Sequence, residues 1–283
     1  MDNYFVFCYH KIKKLWLIGD KMKFYHYGNR SAPLIIMLTG SFCPAAALDY
    51  LYKPLSKDFH IVIPDYNGHY EGSADFTTRQ NEAALIARYL SEKGITSVAM
   101  LYGQSMGSEI GIELLRQLTE SGVEVKHALF DGAPCIRLSN PYKLFMYFKF
   151  KTMINMMRDK SADEVIKWKF LNKFTNGDTE ALRPMIESLI AVAPYLTRKS
   201  IKSETECCYT FDFPQFTDEM QQRIHFLYGS GEKAYTTCHK QVERAYPNAK
   251  MTVLDGYGHL TYSAKHTDEY IELIKKEIYC GGI

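Results

Sequence analysis

The chain contains no apolar run long enough to cross a bilayer. It has no basic block either. A formal net charge of +2 over 283 residues leaves nothing that marks a nucleic-acid-binding face. Low-complexity tracts, heptad arrays and short-period repeats are missing, which excludes coiled coils and solenoids. The seven cysteines (Cys8, Cys43, Cys135, Cys207, Cys208, Cys238 and Cys280) are odd in number and lack zinc-ligand spacing. In residues 1–21 the apolar and basic blocks stand in the wrong order for a signal peptide. Reduced thiols in a cytoplasmic protein are therefore expected. No metal or organic cofactor is implied.

What is present is a rhythm of short apolar runs. Met22–Tyr27 reads as a first strand, and Met22 as a candidate natural start, with residues 1–21 an extension or an edge arm. Further runs are Leu34–Leu38, His60–Asp65, Val98–Tyr102, His127–Phe130, His225–Tyr228 and Met251–Leu254. Continuous apolar runs of this length suit parallel strands buried on both faces. Helical patterns at Ala45–Ser56, Arg79–Lys93 and Met106–Thr119 alternate with the early strands. The alternation predicts an α/β fold with a doubly wound, mostly parallel sheet and ligands at the carboxyl ends of its strands.

One interval breaks the rhythm. Between residues 135 and 218 the pattern is helical only, at Tyr142–Arg158, Ala162–Phe174 and Thr179–Leu196. That is too long for a simple connection. It reads as a helical lid inserted between two halves of the core, residues 22–134 and 219–283. The plainer alternative is a set of ordinary packing helices. A fraction of Phe145, Tyr147, Phe148, Met153, Met156, Met157 and Trp168 should face the strand ends and make an apolar pocket, with the lysines among them forming a solvated face.

The most informative stretch is Gly103-Gln104-Ser105-Met106-Gly107, between a predicted strand and a predicted helix. A sharp turn there needs glycines on both sides, because a side chain would collide with the backbone. It lifts the Ser105 hydroxyl clear of the sheet and places it at a helix N-terminus, where free N–H groups favour negative charge. The bland reading makes Ser105 a simple N-cap.

Four ordered blocks decide between these readings. They are Leu38-Thr39-Gly40-Ser41-Phe42, Pro64-Asp65-Tyr66-Asn67-Gly68-His69-Tyr70-Glu71-Gly72-Ser73, the Gly103–Gly107 turn, and Leu254-Asp255-Gly256-Tyr257-Gly258-His259. Together they resemble the serine hydrolases of the α/β-hydrolase fold, specifically the lid-containing esterases and lipases. The resemblance spans roughly Met22 to the C-terminus. It implies Ser105 as nucleophile and His259 as base. Glu232 in Gly229-Ser230-Gly231-Glu232 is implied as the triad acid, with Asp131 after the preceding strand as its rival. Oxyanion donors are implied at the Met106 amide and at Ser41 or Phe42, where Thr39-Gly40 replaces the family's usual His-Gly. His69 is expected to be structural, and Cys43 a small buried residue.

The expected activity is hydrolysis of a carboxylic ester or thioester of a small, largely apolar acyl substrate through an acyl-enzyme. The alternatives are a non-catalytic ligand-binding protein of the same fold, or a lyase or acyltransferase using the same triad. Dehalogenase and epoxide hydrolase readings fail, because both need an Asp where Ser105 stands. No nucleic-acid partner or membrane span is expected, and a homodimer stays open.

Overall fold

A computed structural model describes residues 22–281. The suggested extension or arm over residues 1–21 lies outside the described residues. Among the described residues seven strands form one sheet: β1 (Lys23–Tyr27), β2 (Leu34–Leu38), β3 (His60–Asp65), β4 (Ser97–Gln104), β5 (Glu124–Asp131), β6 (Ile224–Gly229) and β7 (Lys250–Leu254). Their order is β1-β3-β2-β4-β5-β6-β7. β1 runs antiparallel to β3, with Lys23 opposite Asp65, and every other pairing is parallel. The expected mostly parallel sheet is what forms.

Among the described residues twelve α-helices accompany the strands: α1 (Asp49–Leu55), α2 (Arg79–Glu92), α3 (Met106–Glu120), α4 (Asn140–Met157), α5 (Ala162–Val165), α6 (Lys169–Phe174), α7 (Arg183–Val192), α8 (Arg198–Tyr209), α9 (Asp218–Gln222), α10 (Lys233–Ala245), α11 (Thr261–Lys265) and α12 (Thr267–Cys280). Alternation along the strands sorts the core. Ile36, Leu38, Val62 and Leu101 pack against α2, α3 and α10, while Ile35, Met37, Ile63 and Tyr102 pack against α1 and α12. Both faces of the sheet are thereby covered, which is why its strands read as unbroken apolar runs.

Helices α4 to α8 lie between β5 and β6 and build a third core of their own from Ile154, Met157, Val165, Leu171, Ile186 and Leu196. Two residues from the sheet's loops join that core, Phe42 and Leu260. The two stems of the insertion meet. Arg137 pairs with Thr210, Leu138 N–H donates to Tyr209 O at 3.0 Å, and Phe211 N–H donates to Ile136 O at 3.1 Å.

Three helical expectations need correction. Ala45–Ser56 begins as a 3₁₀ turn over Ala45–Leu48 before α1. Ala162–Phe174 is two short helices, because Trp168 is extended (φ −70°, ψ 127°) and starts α6 afresh. Thr179–Leu196 divides into a 3₁₀ turn and α7, with Pro184 in the first turn of α7, where its missing N–H is harmless.

Candidate active site

Ser105 sits between β4 and α3 with φ 52° and ψ −123°. Holding a non-glycine residue there costs about 1–3 kcal/mol and needs surroundings that leave no alternative. Those surroundings are visible. A Cβ on Gly103 would come within 2.6 Å of Gly107 O, and one on Gly107 within 2.5 Å of Leu38 O. Ser105 N–H donates to Asp131 O at 2.8 Å, and the Ser108 hydroxyl donates to Gly103 O at 2.8 Å. The Gln104 amide donates to Tyr50 OH at 2.6 Å. The turn is tied to β2, β5 and α1 at once.

Among the described residues, five non-glycine positions have positive φ: Phe42, Ser105, Cys135, Asn176 and Leu260. Phe42 lies in the loop after β2, and Leu260 directly follows His259. Backbone strain of this kind concentrates at functional sites.

His259 and Glu232 are both buried. The His259 Nδ1 hydrogen bonds to Glu232 Oε2, while Glu232 Oε1 accepts the Gly229 N–H at 2.8 Å. Glu232 precedes α10 in the loop after β6, and His259 follows β7, so both stand at the same carboxyl edge of the sheet as Ser105, with β5 between β4 and β6. Gly132 links the two halves. It follows the Asp131 carbonyl that holds Ser105 N–H, and a Cβ on it would lie 2.5 Å from His259 Cε1 and 3.2 Å from Glu232 Oε2.

Asp131 makes a different set of contacts. Its Oδ2 accepts the Tyr270 hydroxyl at 2.7 Å, and Tyr270 in turn meets Tyr102 OH at 3.2 Å. Burial and the nearby Glu232 charge push the Asp131 carboxyl up to about 7, against the hydrogen bond from Tyr270.

The loop after β2 touches Ser105. A Cβ on Gly40 would lie 3.3 Å from Ser105 Cβ and 4.0 Å from its Oγ. Of the two loop amides named from sequence, Phe42 N–H donates to Glu204 Oε2 of α8 at 2.7 Å. The Ser41 hydroxyl meets Cys208 Sγ at 3.1 Å. Met106 opens α3. Burial pushes the Cys43 thiol up to about 12, which leaves it protonated and inert.

The insertion reaches the site through two rings. Phe174 packs edge-on to the His259 imidazole, centroids 4.6 Å apart, and its carbonyl accepts His259 N–H at 3.3 Å. Phe150 meets Phe42 edge-on at 5.4 Å. Neither Phe174 nor Glu204 was singled out from sequence. Only a fraction of the insertion's aromatics and methionines is expected to face the strand ends, and Phe145, Phe148 and Met156 are among those that are exposed. Among the described residues, no group of three or more His, Cys, Asp or Glu is disposed to hold a metal ion.

No family model matches the sequence. Among curated proteins, 1H-3-hydroxy-4-oxoquinoline 2,4-dioxygenase from Pseudomonas putida is 29% identical over 103 residues, 35% of this chain and 38% of that enzyme. Solved structures are similar over far more of the length. An alpha/beta hydrolase family protein from Desulfitobacterium hafniense superimposes with a TM-score of 0.71 at 16% identity, covering 90% of this chain and 99% of that one. The chain has the α/β-hydrolase fold. Carboxylesterase CesB from Bacillus subtilis shares it with a TM-score of 0.62 at 19% identity, over 99% of this chain and 98% of that one. Within the α/β-hydrolase fold, the site offers three chemical parts at the sheet's carboxyl edge. They are a strained serine at a helix N-terminus, an imidazole bound to a carboxylate, and backbone amides beside the serine.

Proposed function

We propose that the protein is a serine hydrolase that cleaves a carboxylic ester or thioester of a small, largely apolar substrate. The observation that carries this reading is the convergence at Gly132 of the Ser105 turn and the His259–Glu232 pair. With Nδ1 of His259 bound to Glu232, Nε2 is left to take a proton. Ser105 Oγ attacks the acyl carbon and its proton passes to Nε2. The oxyanion is met by the Met106 and Ser41 amides at the start of α3 and the end of β2. On collapse His259 returns the proton to the departing oxygen or sulfur, leaving an acyl group on Ser105. Water then attacks that ester, again through His259, and the acid departs.

Residues 135–218 serve as the lid in this reading. Phe42, Leu260 and the third core give it an apolar inner wall, which suits an acyl group better than a charged one. The six described cysteines are unpaired, which supports a reducing, cytoplasmic setting. No helix among the described residues is long and apolar enough to cross a membrane.

The test is hydrolysis of p-nitrophenyl esters of graded acyl length by wild type and Ser105→Ala. The expected result is a loss of roughly a millionfold in kcat in the variant, with the length profile sizing the pocket. A variant rate close to wild type overturns the assignment.

A further inference from the structure

A cavity of about 1040 Å³ is bounded by β1, the last two turns of α2 and the first residues of β2, β3 and β4. Small-molecule sites run to roughly 1,000 Å³. The starts of these parallel strands lie at the edge of the sheet opposite Ser105, about 25 Å from it along β4 at roughly 3.3 Å per residue. The chemistry at Ser105 makes no use of this cavity. Part of the lining is apolar. Phe24 stacks on Tyr89 with ring centroids 3.7 Å and planes 8° apart, and Leu85 and Ile95 line the cavity with them.

The charged part of the lining is basic. Arg30, Lys93 and Lys126 contribute to it, with the imidazoles of His26 and His60. Glu92 is the sole acid among the described lining residues, and it pairs with Arg88 at 3.8 Å. The end of α2 adds little opposing charge, because the amides of Lys93, Gly94 and Ile95 take its last carbonyls. The imidazoles are linked. His26 Nδ1 meets His60 Nε2 at 2.9 Å, and His26 Nε2 meets the Tyr89 hydroxyl. With Tyr89 donating to His26 and His26 donating to His60, the buried His60 carries its proton on Nδ1, which no described residue accepts. Burial, then Arg30, holds the His60 imidazole below its ordinary value. Burial, then His60, Arg30 and Lys93, does the same to His26. The charges acting on the pair are thus all positive.

We propose that this cavity is a second binding site, one for a small organic phosphate monoester. Such a group carries close to two negative charges at neutral pH and three strong acceptor oxygens. A guanidinium, two amines and an imidazole N–H are the donors that hold it, and Arg30 can do so through a forked pair of hydrogen bonds. The anion also selects the direction of the Tyr89–His26–His60 chain, since only that direction leaves a donor at His60 Nδ1. The organic part then rests on Phe24, Leu85 and Ile95. A carboxylate fits worse, because its single charge leaves the remaining cations facing one another.

The experiment is calorimetric titration of the full-length protein with phenyl phosphate. Saturable binding at one site is expected, weakening with added salt. Arg30→Gln with Lys93→Gln should weaken it by roughly tenfold or more. Both side chains are exposed, so the melting temperature should stay near that of wild type. His60→Gln keeps a partner for His26 but removes the Nδ1 donor, and should weaken binding roughly tenfold. Lys199→Gln with Lys202→Gln on α8 removes the same charge elsewhere and should leave affinity within about twofold. Equal losses in the two charge-removing pairs would mean diffuse attraction and overturn the proposal. So would the absence of saturable binding. Saturating phenyl phosphate should leave p-nitrophenyl ester hydrolysis unchanged, because the two sites lie at opposite edges of the sheet. Competitive inhibition that survives Arg30→Gln with Lys93→Gln would put the anion at Ser105 and also overturn the proposal.

Discussion

Glu204 of α8 and His69 of the loop after β3 form an ion pair at 2.9 Å with both side chains fully buried. The other oxygen of Glu204 takes the Phe42 N–H at 2.7 Å, and the other nitrogen of His69 meets Cys43 O at 3.1 Å. One carboxylate thus joins the helical insertion to the loop beside Ser105. Breaking a buried pair from one side strands the remaining charge.

Glu204→Gln should lower stability by about 3–5 kcal/mol and the melting temperature by roughly 10 °C. Burial lowers the His69 imidazole, but the charge and hydrogen bond of Glu204 outweigh it and the net shift is upward. A raised imidazole contributes stability that is fully present below its unfolded value, about 6.5. That contribution is lost as pH rises through the folded value. Melting curves from pH 5 to 9 should show this loss in wild type, and Glu204→Gln should flatten it. A variant with unchanged slope would mean that the pair is not charged.

The two carboxyls near His259 predict different kinetics. Glu232→Gln removes the acceptor that fixes the imidazole tautomer and should reduce kcat by about 10³–10⁴. Asp131→Asn keeps an acceptor for Tyr270 and should stay within about tenfold of wild type. Steady-state kinetics on one ester settle the assignment, and the reverse ranking would make Asp131 the acid.

Asp131 also carries a pH signature. Its folded value of about 7 lies above the unfolded value, near 4. The folded state therefore holds this proton more tightly, and the associated stability is complete below about 4 and lost as pH rises toward 7. Asp131→Asn should make the fall in melting temperature between pH 5 and 8 shallower. A fall as steep as wild type would show that Asp131 is not its source.

Gly132 has φ +64° and faces the His259 ring. Gly132→Ala adds a methyl into that ring and strains the backbone together. Stability should fall by about 1–3 kcal/mol. The loss in kcat should exceed what reduced folding explains, at a temperature where the variant is fully native by circular dichroism.

The strands were legible because burial on both faces leaves unbroken runs such as Leu34–Leu38 and His60–Asp65. β5 begins at Glu124, three residues before the apolar run, because Glu124-Val125-Lys126 alternates and only Val125 is buried. The Gly103–Gly107 turn announces itself, since its glycines answer a local steric demand. Helix α8 did not. Its buried positions include Ser200, Glu204 and Thr205, and a stripe of polar residues gives no hydrophobic period. The partnership of Glu204 with His69 spans 135 positions and depends on where α8 docks, which no local pattern encodes. Phe174 is likewise one aromatic among many until the insertion folds over His259.

The close approach of Gly107 to the Leu38 carbonyl has a consequence for how this protein could change over time. The Ser105 turn and the strand that delivers Ser41 are in van der Waals contact with no slack between them, so neither can be reshaped without moving the other. Diversification is confined to the opposite side, where α4 to α8 hang from two adjacent stems at Ile136–Leu138 and Tyr209–Phe211. A different insertion could be fitted at those stems and meet an unaltered catalytic edge. New substrate ranges should therefore arise by exchange of that segment, while the turn itself stays fixed.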